Sequence, residues 1–249
     1  MNVILFDPEE LNNPLPYSDE RAVHMKNILG LHQGDEFFAG VINGPLGKGI
    51  LVKEGPHGWI WSFQPESESP PLRPLTLVLG CPRPPVARRL LKDMSSLGIR
   101  EIRCCSTDLN EKSYLGSKLW REGLWKKALR EGAIQGISTR LPQVQTAPCL
   151  AEALQNLPEH CERIALDNGP GAQSFHPMGT APHGAILAIG PERGWSEKER
   201  QLLEEQDFQR CFIGSRVMRT ETSCALGSGL MLHAMQVFTQ EGNTINRKS

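Results

Sequence analysis

No run of the 249 residues approaches the roughly eighteen apolar positions that a membrane-spanning helix needs. Met1 to Pro8 has neither a basic start nor a long apolar stretch, so no secretory leader is read there. No membrane partner is expected, and the chain is expected to be soluble and cytoplasmic. The seven cysteines, Cys81, Cys104, Cys105, Cys149, Cys161, Cys211 and Cys224, include no C-x-x-C pair. They read as reduced, buried small residues rather than as zinc ligands or a disulfide framework. His24, His32, His57, His160, His176, His183 and His233 form no H-E-x-x-H or other ligand spacing, so no metal is expected. Also missing are a G-x-G-x-x-G after a strand and any G-x-x-x-x-G-K-[ST], which removes the dinucleotide and phosphate-loop readings. Ser215, Ser223 and Ser228 stand outside any G-x-S-x-G context, which removes a hydrolase nucleophile. There are no internal repeats and no low-complexity tracts.

With 39% hydrophobic residues the chain can bury a substantial core, as one large domain or two modest ones. The net charge of −1 argues at first against a nucleic-acid partner, but the charges are unevenly placed. Residues 1–70 hold 4 Lys and Arg against 10 Asp and Glu, residues 71–140 hold 14 against 6, and residues 141–249 hold 9 against 12. The middle is a basic block. It is either a solvated helix face or an RNA-binding surface, since RNA binding needs the charges gathered on one side.

Residues 1–64 read as short strands, Val3 to Phe6, Glu36 to Ile42, Gly49 to Lys53 and Trp59 to Phe63, separated by Gly, Pro and Asn clusters. That pattern predicts a small β barrel or sandwich. Gln64 to Pro74 has the composition of an exposed linker, which places a boundary between a domain at 1–70 and another at 71–249. Apolar runs then alternate with helical patterns, the mark of an α/β domain with a mainly parallel sheet. Strands are predicted at Leu75 to Leu79, Glu101 to Cys105, Ile164 to Asp167, Ala185 to Ile189 and Cys211 to Ile213. Pro84 and Pro85 open a helix on which Val86, Leu90, Met94 and Leu97 recur, with Gly98 placed to cap it and Arg88, Arg89 and Lys92 on its wetter side. Further helices are expected over Lys118 to Gln135, Ala151 to Leu157 and Thr222 to Phe238, and a frayed tail over 241–249.

Two segments stand where an apolar strand ends and a helix begins. In the first, Ala185 to Ile189 runs into Gly190-Pro191-Glu192-Arg193-Gly194, and Ser196 with Glu199 forms an S-x-x-E capping box for a helix over Glu197 to Glu205. A ligand can approach such a glycine-rich backbone closely beyond the carboxyl end of a strand, and a tight turn that merely ends the strand has the same composition. In the second, Cys211 to Ile213 is followed by Gly214, and Arg216 and Arg219 bracket two apolar residues before a helix that begins at Thr220-Glu221-Thr222. Fixed cations beside a helix start suit an anion or a polarised base, and a hydroxyl cap with solvated arginines is the competing account. Gly227-Ser228-Gly229, inside the last helix, reads as a stripe for close packing, and Leu226, Leu230, Met231, Ala234, Met235 and Phe238 give that helix an apolar side fit for the core or a subunit contact.

At these two segments the sequence resembles the RsmE family, ribosomal small-subunit methyltransferase E, of the SPOUT class of trefoil-knotted methyltransferases. The family pattern pairs an apolar strand and G-P-E-G-G with L-G-x-R-[IV]-L-R-x-E-T-A. The chain offers Ile189 to Gly194 and Ile213 to Ser223 in the same order. Weaker likeness runs over His24 to Gly34, Met94 to Ile99 and Glu131 to Pro142. The resemblance implies a PUA-like β barrel joined to an α/β knot, a homodimer, and methyl transfer from S-adenosyl-L-methionine to N3 of a uridine in 16S rRNA of the small ribosomal subunit. It implies cofactor binding by Leu166, Asp167, Ile189, Gly190, Pro191, Glu192, Gly194, Ile213, Gly214, Arg216, Val217, Met218 and Thr220. Because N3 must lose a proton and attack the methyl in line, Arg219 is assigned to the uracil oxyanion, and Glu221 to the proton, to orienting Arg219, or to capping the helix.

The chain departs from the family pattern at Gly30, where an arginine is expected, at Arg193, where a glycine is expected, and at Ser96, where a glutamate is expected. Arg83, Arg88, Arg89 and Lys92 replace a helix start rich in lysine and glutamate, and they are the candidate RNA contacts. These changes bear on the target rather than on the cofactor, since shape and backbone contacts select RNA sites. A relative acting on another rRNA or tRNA base, and a non-catalytic RNA-binding ribosome-assembly factor, stay open. A nicotinamide dehydrogenase does not survive the missing glycine fingerprint.

Overall fold

A computed structural model describes residues 3–179 and 183–240; the expected tail at 241–249 lies outside the described residues. The chain divides into two units. The first gathers the residues up to Leu72 together with Ser95–Gly98 and Leu129–Leu141, and the second gathers Arg73–Met94, Ile99–Ala128 and the chain from Pro142 onward.

The first unit holds β1 (Ile4–Phe6), α1 (Glu20–Asn27), β2 (Glu36–Val41), β3 (Pro45–Gly55) and β4 (Gly58–Glu68), with the strands in the order β1-β2-β3-β4. β1 and β2 are parallel and the other neighbours antiparallel. Phe6 stacks on Trp61 with ring centroids 3.9 Å apart, and Met25, Leu51 and Trp59 complete an apolar cluster around them. The helix α1 escaped the sequence reading; Asp19 caps it by accepting from the Arg21 backbone N–H at 2.8 Å, and it buries Ala22 and Met25. The expected linker over Gln64 to Pro74 is corrected at both ends. Gln64 to Glu68 extend β4, and Arg73 and Pro74 already belong to the next strand. Pro65 is tolerated because β4 is the edge of its sheet and the register slips beside Pro65, opposite Leu46 and Gly47.

The second unit follows the expected α/β pattern. Its strands and helices are β5 (Arg73–Gly80), α2 (Pro84–Ser96), β6 (Ile99–Cys105), α3 (Lys118–Arg121), α4 (Trp125–Gln135), β7 (Gln143–Ala147), α5 (Leu150–Ala153), β8 (Glu162–Leu166), β9 (Gln173–Ser174), β10 (Ala185–Ile189), α6 (Glu197–Glu205), β11 (Gln209–Phe212), α7 (Thr220–Ala234) and α8 (Val237–Gln240). The last residues of α2 and most of α4 group with the first unit. The sheet order is β7-β6-β5-β10-β8-β11-β9, and every pairing is parallel. The all-apolar, wholly buried β10 occupies the centre, as a strand covered on both faces must. Trp195, Leu203 and Phe208 belong to the cluster that packs on Val78, Ile186 and Ala188. From α7, Gly227 lies on Leu166 and Leu187, where an added Cβ would stand 3.0 and 3.1 Å from their methyl groups. The glycine stripe in that helix is therefore a packing device at Gly227.

Three predicted helices are corrected. The expected helix over Lys118 to Gln135 is two, separated around Gly123, which takes a φ of +70. The helix expected over Ala151 to Leu157 is a single turn, cut before Asn156, at φ +51. The last helix starts at Thr220 and breaks near Gln236, at φ +57. Left-handed backbone at these points cannot continue a right-handed helix. Five cysteines are buried as expected, but Cys149 is exposed before α5 and Cys161 is half-buried. Among the described residues no helix is long and apolar enough to cross a membrane.

Candidate active site

Four adjacent strands end in line. Ile189 of β10 stands opposite Leu79 of β5 and Leu166 of β8, and Cys211 of β11 stands opposite Leu166 as well. The turns that leave them, at Gly80, Gly190, Asp167 and Ile213, therefore converge beyond the carboxyl ends of these strands. There they enclose a cavity of about 800 Å³. Ligands in open α/β sheets bind at this position, and the volume suits a nucleoside-sized ligand.

Most residues singled out in the sequence line this cavity. Leu166, Asp167, Ile189, Gly190, Pro191, Glu192, Gly194, Ile213, Val217, Met218 and Thr220 are on its walls, with Arg219 and Glu221. Gly214 and Arg216 belong to the same loop but are exposed to solvent and are not on the wall. Of the candidate RNA residues, Arg83 and Arg89 line the cavity, and Arg88 and Lys92 do not. Arg193, within the expected loop from Ile189 to Gly194, is on the wall too, and Val86, Asn168, Gly169, Arg200, Cys211, Phe212 and Ser223 complete the lining without having been foreseen as cavity residues.

Packing and hydrogen bonds hold these loops. Gly80 lies under the Gly190-Pro191 turn so closely that a Cβ there would stand 2.5 Å from Pro191 Cδ and 2.8 Å from its nitrogen. Gly194 closes the turn at φ +74, a backbone state that costs glycine nothing. The buried Trp195 donates its indole N–H to the Leu166 carbonyl at 3.1 Å, tying the turn after β10 to that after β8. At the start of α6, Ser196 Oγ accepts from the Glu199 N–H at 3.2 Å, while a Glu199 carboxylate oxygen accepts from the Ser196 N–H at 2.8 Å. The second Glu199 oxygen accepts from the Asp108 N–H at 2.9 Å, and Ser196 Oγ donates to Asp108 Oδ2 at 2.6 Å. The capping box read from the sequence thus also anchors the loop after β6.

The ionised groups fall into two sets. Asp167 is buried, which pushes its carboxyl up, but hydrogen bonds from Arg200 and Arg210 and from the Gly169 N–H outweigh burial and leave it below its ordinary value. Glu221 is also held low, first by its own backbone N–H and then, against slight burial, by Arg89 at 3.1 Å and the field of Arg219. Both are carboxylates at neutral pH. Burial, reinforced by Glu162, raises the Cys211 thiol, so this cavity-lining cysteine stays protonated and unreactive. The walls carry Arg83, Arg89, Arg193, Arg200 and Arg219 against Asp167, Glu192 and Glu221. Apolar side chains together with more arginines than carboxylates in one lining suit a flat heterocycle presented by a polyanion.

A family model described as RNA methyltransferase domain matches residues 68–231. The ribosomal RNA small subunit methyltransferase E of Treponema pallidum is 34% identical over 244 residues, covering 93% of this chain and 91% of that protein. Ribosomal RNA small subunit methyltransferase E 1 of Borreliella burgdorferi is 30% identical over 228 residues, covering 92% and 96%. The chain belongs to the ribosomal RNA small subunit methyltransferase E family. Among solved structures, a probable rRNA-methyltransferase of Porphyromonas gingivalis superimposes with a TM-score of 0.78 at 16% identity, over 95% of this chain and 99% of that one. The methyltransferase E of Neisseria gonorrhoeae bound to S-adenosyl methionine does so with a TM-score of 0.70 at 19% identity, over 94% and 97%. In this member of the methyltransferase E family, both motif segments reach the cavity wall, and Arg200, outside both, reaches it too.

Proposed function

We propose that this methyltransferase E family member transfers the methyl group of S-adenosyl-L-methionine to N3 of a uridine in 16S rRNA of the small ribosomal subunit. The observation that carries this reading is the meeting of Ile189 to Gly194 and Ile213 to Glu221 at one cavity. The residues there fit the cofactor: Leu166, Ile189, Ile213, Val217 and Met218 offer apolar contact to an adenine, and the glycine turns bring backbone polar groups close. The cofactor supplies an electrophilic methyl on a sulfonium. Arg219 is the catalytic residue of this reading. Among the described residues its side chain makes no hydrogen bond or ion pair, so its guanidinium is available to stabilise the uracil oxyanion as N3 gives its proton to water. Glu221, ionised and a weak base, orients Arg89 and makes no hydrogen bond to Arg219.

Around this centre the reading places RNA phosphates on Arg83, Arg88, Arg89 and Lys92, a PUA-like RNA-binding barrel at 1–70, a trefoil-knotted SPOUT domain at 71–249, a homodimer and a cytoplasmic location. The sheet order, with β10 between β5 and β8, supports the knot, and exposed Val217, Leu226 and Phe238 support a subunit contact. Purified small subunits lacking the modification, incubated with the chain and methyl-labelled S-adenosylmethionine, should yield labelled N3-methyluridine on nucleoside analysis. Label in another nucleoside or only in tRNA would give the site a different base, and no label would favour a binding factor without turnover.

A further inference from the structure

Arg200 lies on α6, outside both motif segments, yet its side chain reaches the cavity wall. It lies directly on the loop after β8, where a Cβ on Gly169 would come within 2.7 Å of its Nε and 2.8 Å of its Cζ. Asp167 fixes its orientation, accepting from Nε at 2.8 Å and from Nη2 at 3.3 Å. A guanidinium has five N–H groups. The third contact, from Nη1 to Glu197 at 3.4 Å, is long and reaches a carboxylate that is 89% exposed. Two N–H groups are left without a partner among the described residues.

Arg210 shares Asp167 but is spent differently. Its Nε donates to Glu204, its Nη1 to Asp167 and its Nη2 to the Pro170 carbonyl, and it does not line the cavity. One carboxylate thus serves two guanidiniums, and the further carboxylates, on Glu197 and Glu204, are exposed. On the cavity side, with the Asp167 oxygens already taken, the cluster keeps the two unpartnered N–H donors of Arg200.

We propose that Arg200, held over Gly169 by Asp167, receives the carboxylate of the amino-acid portion of S-adenosylmethionine. A planar fork with free donors matches a carboxylate in two-point contact. Its side chain is 21% exposed, against 59% for Arg89, which favours a small recessed anion over an RNA phosphate. Asp167 is then a positioning residue rather than a direct cofactor contact, because its oxygens already accept from Arg200, Arg210 and the Gly169 N–H. This inference rests on the reading that the cavity holds that cofactor.

Calorimetric titration of the full chain without RNA tests it, using S-adenosylmethionine and its decarboxylated analogue against the parent chain, Arg200→Gln and Arg200→Lys. Arg200→Gln should weaken S-adenosylmethionine binding roughly 10- to 100-fold, the range of a charge-assisted hydrogen bond, and leave the decarboxylated analogue unchanged. Arg200→Lys, which keeps the charge but not the fork, should fall between. Equal weakening of both ligands would make Arg200 a scaffold for the loop and overturn the proposal. Unchanged binding of both, with weaker RNA binding, would overturn it in favour of a phosphate contact. A parent chain that binds neither ligand would bring down the cofactor reading itself, and this proposal with it.

Discussion

Arg219 and Glu221 sit two residues apart and are committed differently by the fold. The Arg219 side chain is left to the cavity, while Glu221 is held by its own N–H and by Arg89. Arg219→Ala is therefore expected to lower kcat about 100- to 1000-fold, the range for removing a preorganised donor to an oxyanion, with the cofactor Kd little changed. Because the Glu221 carboxyl is already held below the ordinary range, the rate–pH profile should show no inflection near neutrality that Glu221→Gln abolishes; such an inflection would make it a general base. Asp167 is the stability counterpart. Its carboxyl is depressed on folding, so its ion pairs contribute above the unfolded value of about 4 and are lost as pH falls through the folded value. Asp167→Asn should cost about 3 kcal/mol at neutral pH by leaving two largely buried guanidiniums with only the exposed Glu197 and Glu204 as partners. In urea titrations at pH 7 and pH 3 the gap to the parent should narrow at the lower pH; a constant gap would contradict the ion-pair account.

Elements with a strong local signal were legible in the sequence. The box of Ser196 and Glu199 fixes α6 where spacing placed it, and α2 follows the apolar repeat from Val86 to Met94. Where a strand is irregular or lies on an edge, the signal fails. β4 continues past Pro65 because an edge strand can lose a donor there, β7 has no fully buried residue, and β9 is two exposed residues held by β11. The Ser196 cap offers a test at this scale. Ser196→Ala removes the cap and the hydrogen bond to Asp108, and should cost about 1–2 kcal/mol. Because α6 also presents Arg200 to the cavity, hydrogen exchange should rise over 190–200 together; a stability loss without that local change would separate the cap from the site.

Across the whole chain, the site combines short-range motifs with long-range placement. The strand-to-helix pattern, and then the family resemblance, located Gly190 to Gly194 and Ile213 to Glu221, yet only the parallel order β5-β10-β8-β11 brings those turns beside Asp167 and Arg83. Arg200 could not be found by pattern, since its partner lies 33 residues earlier and the pair exists only once β8 and α6 are packed. Likewise the net charge of −1 conceals a cavity whose walls carry five arginines against three carboxylates, because the remaining acids are elsewhere. The most direct test of the central claim is nucleoside mass spectrometry of 16S rRNA from a strain lacking this gene, complemented with the parent chain or with Arg219→Ala. N3-methyluridine should be absent from the deletion strain, restored by the parent and not restored by Arg219→Ala; undiminished N3-methyluridine in the deletion strain would contradict the account.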